Sequence, residues 1–145
     1  MSDTDHAVAQ TLAAYQAAVL AKDVAAFVAI YADDVQTFEL WGQWEHDIAS
    51  WREMAQGWFK FLGDERSVVE ARDVRTQVSG DMALLTASLT YRAVDPSGQE
   101  LRSLDNRLSW VLRERGSRWL VVHEHTSVPI AHDDGKGIFK RPATA

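Results

Sequence analysis

Two periodicities divide the chain. Up to Gly63, apolar residues recur at helical spacing. Val8, Leu12, Tyr15 and Val19 mark one face of a first helix, with Thr4 or Asp5 placed to cap it. "AKDVAAFVAIYADD" reads as a turn and a short second helix capped by Asp23, with Phe27, Ile30 and Tyr31 on its apolar face and Asp33 and Asp34 at its end. "VQTFELWG" is a short strand ending near Gly42. Ile48, Trp51, Ala55, Trp58, Phe59 and Leu62 then form the stripe of a third helix, which Gly63 stops. Such a stripe packs against a sheet.

Beyond Gly63 the period falls to two. "SVVEARDVRTQV", "MALLTASLTYRAV", "ELRSLDNRLSWVLRE" and "RWLVVHEHTSVPI" are four strands, separated by the turns "SGD", "DPSGQ" and "RGSR". Short turns between neighbours predict an antiparallel meander. Helices followed by strands predict an α+β domain, its helices gathered on one face of a curved sheet. The domain is expected to span residues 1–130. The polar tail 131–145 is expected to be flexible unless Ile138 and Phe139 dock.

Alternation assigns the faces of the last strands. Leu104, Asn106, Leu108, Trp110 and Leu112 share the more apolar side of the third strand and should face the helices. On the fourth, Leu120, Val122, Glu124 and Thr126 are expected inside. Trp119, Val121, His123 and His125 are expected outside, and a bulge in "RERGSR" would exchange the two sets.

Composition narrows the partners. A net charge of −6 argues against non-specific binding to nucleic acid or anionic membrane. No apolar run approaches the roughly 20 residues that span a bilayer. The start lacks a secretory pattern, so a cytoplasmic location is expected. With no cysteine, disulfides, thiolate zinc sites and cysteine nucleophiles are excluded. Dinucleotide, P-loop and nucleophile-elbow fingerprints are missing as well.

"Y…AKD…F…YADD", a long third helix and a four-stranded meander resemble the nuclear transport factor 2-like superfamily. "W-x-V-x-H-x-H-x-S-x-P" after "R-L-S-W" resembles its SnoaL-like branch, and also the association domain of calcium/calmodulin-dependent kinase II. The resemblance reaches about Ile130. It implies a cone-shaped curved antiparallel sheet on three N-terminal helices, an internal pocket, and a homodimer through the sheet face. Its members include ketosteroid isomerases, cyclases, dehydratases and pure binding modules, so the fold does not choose a function.

Tyr15 stands eight residues before Asp23, where the ketosteroid isomerase pattern has its oxyanion-stabilising tyrosine. Glu39 follows "YADD", where that pattern has its carboxylate base. The third element, a protonated aspartate, has no counterpart here, because the inward positions are Asn106, Leu108 and Trp110. A carboxylate in an apolar cavity gains the basicity that proton transfer requires. The alternative places Tyr15 in the core and Glu39 in solvent at a strand end. Glu124 with Asn106 would form a polar end to the pocket, or Glu124 would pair with Arg102 or Arg107. Trp41, Trp51, Tyr91 and Trp110 would shape the apolar walls. His123 and His125 could share a metal only with a third ligand such as His46 or Asp105. They are read instead as part of an outer-face cluster with Arg107 and Ser127, and neither metal nor organic cofactor is expected. The chain is therefore expected to be a cofactor-independent enzyme that moves a proton on a small apolar carbonyl compound (isomerase, cyclase or dehydratase), or else a ligand-binding or dimerisation module without chemistry.

Overall fold

The computed structural model describes residues 2–143. Helix α1 spans Asp3–Ala21 and buries Val8, Leu12, Tyr15, Ala18 and Val19. Its cap is Ser2 rather than Thr4 or Asp5. Asp5 instead closes a reciprocal capping box with Ser2 from the third helical position. Asp23 caps α2, Val24–Val28, through the backbone of Ala26.

The second helix is shorter than its pattern suggests. Strand β1 begins at Tyr31 and runs to Phe38, so Tyr31, Asp33 and Asp34 lie on a strand. The cause is tertiary: β1 pairs in parallel with the last strand, and Val121 N–H donates to the Ile30 carbonyl at 3.0 Å. Asp34 does not end a helix; it takes two hydrogen bonds from the exposed Arg115 guanidinium. Helix α3, Ile48–Leu62, starts at the Asp47 cap and buries Trp51, Ala55, Phe59 and Leu62.

Strands β2 (Arg66–Ser79), β3 (Met82–Val94), β4 (Glu100–Arg115) and β5 (Arg118–Ser127) form the expected antiparallel meander. With β1 added, the sheet has five strands in the order β1-β5-β4-β3-β2. It is curved, mostly antiparallel and unclosed, and the helices pack on it. The core is centred on Phe27, whose ring meets those of Tyr15, Tyr31, Trp51 and Phe59 at centroid distances of 5.3–5.9 Å. Aromatic pairs at these separations add to the burial of their area. None of the described helices is long and apolar enough to cross a membrane.

The faces of β4 are as the alternation predicts: Asn106, Leu108, Trp110 and Leu112 are buried. Strand β5 departs from its prediction at one point. Leu112 pairs with Val121 and Val111 with His123, so Val122 is an extra residue. Before this bulge Trp119 and Val121 point inward; after it Glu124 and Thr126 do. Leu120 and Val122 are therefore not the inward pair. The exchange of sides arises inside the strand, not in the turn, and affects only the first half.

Of the two tail residues that could dock, Phe139 packs on the domain and Ile138 stays 41% exposed. Phe139 accepts from Asp105 N–H at 2.7 Å, and its ring stacks on Trp41 at 5.2 Å, nearly parallel. Lys140 bonds the Ser103 carbonyl, and Arg141 pairs with Asp73. Residues 144 and 145 lie outside the described residues.

Candidate functional site

Between α3 and the concave sheet lies a cavity of about 650 Å³. Apolar and aromatic side chains, among them Phe27, Trp51, Met54 and Trp58, supply most of its wall. Its polar groups enter from the sheet, from the loop after β1, from α1 (Tyr15) and from α3 (Ser50 and Glu53). This combination is typical of small-molecule sites.

Glu124 marks the deep end. It lies between Trp110 on β4 and Thr37 on β1, both its register partners. Tyr31 Oη donates to its Oε1 at 2.6 Å and Trp110 Nε1 to the same oxygen at 2.8 Å. The residue is 2% exposed. Burial raises its pKa, and the two donors offset part of that rise. Neither Arg102 nor Arg107 reaches it: Arg102 pairs with Glu65, and Arg107 donates to Ser127 on the outer face.

Glu39 marks the outer end, one residue past β1. Burial, and secondarily the charge of Glu124, raise its pKa from 4.5 to about 7. Its neighbour is His46, whose Nε2 lies 3.4 Å from Glu39 Oε2 without hydrogen-bond geometry. The loop between them is pinned at both ends. Thr37 and His46 exchange two backbone hydrogen bonds, and Leu40 N–H donates to Thr126 Oγ1. His46 also precedes the Asp47 cap, so the start of α3 fixes its backbone. Burial lowers the His46 pKa, favouring the neutral ring.

Tyr15 and Tyr91 meet across the cavity, their hydroxyls 2.6 Å apart. Both phenol pKa values are raised, chiefly by burial, so both hydroxyls stay protonated. Asn106 lines the cavity beside them, and its buried Oδ1 has no partner among the described residues.

The structure thus brings Tyr15, Glu39, Asn106 and Glu124 to one cavity, with Trp41, Trp51 and Tyr91 in its lining. Trp110 is the exception. It is fully buried beneath the surface of the cavity and does not line it; its indole holds Glu124 in place. A period-two pattern gives a side chain's face but not its depth. His123 and His125 face outward, His123 donating from Nδ1 to the Gln36 carbonyl at 2.8 Å. Among the described residues no three His, Asp or Glu side chains gather as a metal site would require.

Sequence reasoning missed two contributors. Tyr31 was assigned to a helix, and only its place on β1 aims it at Glu124. The sequence offers His46 only as a possible third metal ligand, whereas in the fold its neighbour is Glu39. The signal for it was the "HD" pair ahead of the third helix, where Asp47 as cap fixes its neighbour.

The model of the SnoaL-like domain family matches residues 8–131. No curated protein matches the chain. Among solved structures, an NTF2-like protein of unknown function from Pseudomonas putida KT2440 is similar over 98% of this chain and 99% of its own, with 21% identity and a TM-score of 0.82. An NTF2-like protein with a cystatin-like fold from Novosphingobium aromaticivorans covers 90% of this chain and 85% of its own, with 15% identity and a TM-score of 0.75. A protein from Xanthomonas campestris, provisionally named a calcium/calmodulin dependent protein kinase II association domain, is 23% identical over 83% of this chain and 84% of its own, with a TM-score of 0.62. At these identities the solved structures bear on the fold alone; the family match, over most of the length, identifies the chain as a member of the SnoaL-like domain family.

Proposed function

We infer that the chain is a cofactor-independent acid/base enzyme acting on a small, largely apolar carbonyl compound. One observation carries this reading: a carboxylate, Glu39, lines a mostly apolar cavity, where burial pushes its pKa up to about 7. A base at that value can accept a proton from carbon adjacent to a carbonyl and return it. The C–H electron pair becomes a carbon–carbon double bond, the carbonyl π pair moves onto oxygen, and a hydroxyl of the Tyr15–Tyr91 pair donates to the developing oxyanion. Glu124 and Asn106 give the inner end polarity that orients the ligand. Isomerisation, cyclisation and dehydration all share this step.

A second reading has its own support. The Tyr15 hydroxyl already has a partner in Tyr91, which suits a cavity that binds without reacting. In both readings a homodimer forms through the outer sheet face. There Leu84, Val111 and His123 lie in one cross-strand row, with Leu84 40% exposed.

The test is hydrogen–deuterium exchange at the carbon next to the carbonyl in a panel of small enolisable ketones, followed by NMR in D2O. Wild-type protein should catalyse exchange, and Glu39→Gln should lose it while keeping the fold and ligand-induced thermal shifts. Exchange that survives the substitution rules out Glu39 as base. Thermal shifts without exchange in the wild type select the binding module.

A further inference from the structure

The loop after β1 brings together an acid and an imidazole that are otherwise incompletely partnered. His46 is 5% exposed. Its Nδ1 lies 3.1 Å from Ser50 Oγ, and Ser50 Oγ in turn donates to the Asp47 carbonyl at 3.4 Å. In the arrangement where that hydroxyl donates to the carbonyl, it accepts from the ring and Nδ1 carries the hydrogen. Nε2 then holds a lone pair, and Glu39 Oε2 is its neighbour at 3.4 Å, off the line a hydrogen bond needs. A carboxylate and a lone pair repel each other at this separation; with a single proton between them, a small rotation of the Glu39 side chain makes the contact a hydrogen bond. The Trp51 ring packs against the imidazole, tilted, at 5.2 Å between centroids, and the bridge to Thr37 fixes the backbone of His46.

We propose that His46 is the proton partner of Glu39, sharing through Nε2 the proton that the carboxylate takes up. The proposal rests on the reading of Glu39 as base. When Glu39 removes a proton, the C–H bond breaks and an O–H bond forms at the carboxyl. That proton can pass to Nε2, giving an imidazolium beside a carboxylate, and return by the same path. No redox partner or co-reactant is required. Asp47 favours the imidazolium and Glu124 favours a protonated Glu39; Glu53 on α3 and Arg102 on β4 line the same cavity. His46 acts through Glu39 and is a positioning residue.

Two measurements test this. The first does not depend on turnover. In protein labelled at the imidazole nitrogens and the glutamate carboxyl carbons, NMR follows His46 and Glu39 from about pH 4 to about pH 9. Nε2 should be the unprotonated nitrogen at high pH, and both residues should respond to one shared midpoint. Glu39→Gln should move the His46 midpoint. A hydrogen on Nε2 at high pH, or two independent titrations, overturns the proposal. The second measurement is the pH profile of ketone exchange. His46→Gln should slow exchange about tenfold and displace its midpoint, whereas a residue that only packs would leave the midpoint in place. A shared titration in a protein that exchanges no ketone would sink the enzyme reading but leave the pair intact.

Discussion

The two ends of the cavity treat a carboxylate in opposite ways. At the deep end Glu124 takes two hydrogen bonds on one oxygen, from donors fixed on two strands. At the outer end Glu39 sits on a loop, with a neighbour at 3.4 Å and no hydrogen bond to it. Both groups are buried enough to raise their pKa. The difference is one of freedom: the deep carboxylate is held by its donors, whereas the outer one remains able to take and release a proton. Fully satisfied buried polar networks rigidify a site, and an under-satisfied acid can react.

The strongest way to break this contrast is Glu39→Gln. Exchange should fall about 10³-fold, equivalent to about 4 kcal/mol, with the far-UV spectrum unchanged. In the wild type, exchange should rise with pH through about 7, because the base works only when deprotonated.

The same substitution should change stability, by a somewhat smaller amount. The folded carboxyl titrates near 7 and the ordinary one at 4.5. Between these values the folded chain keeps a proton that the unfolded chain has released, so the stability Glu39 contributes at low pH is lost as pH rises through about 7. Gln has no such loss. Glu39→Gln should therefore match wild type near pH 4 in denaturant melts and exceed it above pH 8, by on the order of 3 kcal/mol at most.

Tyr31→Phe attacks the deep end. It removes one donor from a buried carboxylate and should cost about 2 kcal/mol in urea unfolding, with a smaller effect on exchange than Glu39→Gln. Equal losses of exchange from the two variants would mean that Glu124 takes part in the reaction together with Glu39. His125→Ala should do least. That ring is exposed on the outer face of the single chain, and its loss should stay within about 0.5 kcal/mol for the protomer's own fold, measured in urea at concentrations too low for a dimer.

The legibility of the chain followed the range of the interactions involved. The stripes of α1 and α3 and the meander were readable, because helical and strand periods are set within a few residues. The end of α2 was not. Tyr31 and Ala32 satisfy a helical pattern as well as a strand pattern, and a hydrogen bond from Val121, some ninety positions away, decided between them. The facing of Glu124 was read correctly, while that of Leu120 and Val122 was not. One inserted residue reverses every side chain on one side of it, and alternation carries no mark of where the insertion lies.

By itself, the sequence determined the order of helices and strands, the apolar faces, and the residue types available for chemistry. These depend on local spacing and on caps such as Ser2, Asp23 and Asp47. The tertiary structure alone decided that Tyr31 and Trp110 hold Glu124, that Tyr15 meets Tyr91, and that His46 faces Glu39. Each of these contacts joins side chains whose separation is fixed by sheet register or by a pinned loop, and no local period encodes a distance across a fold.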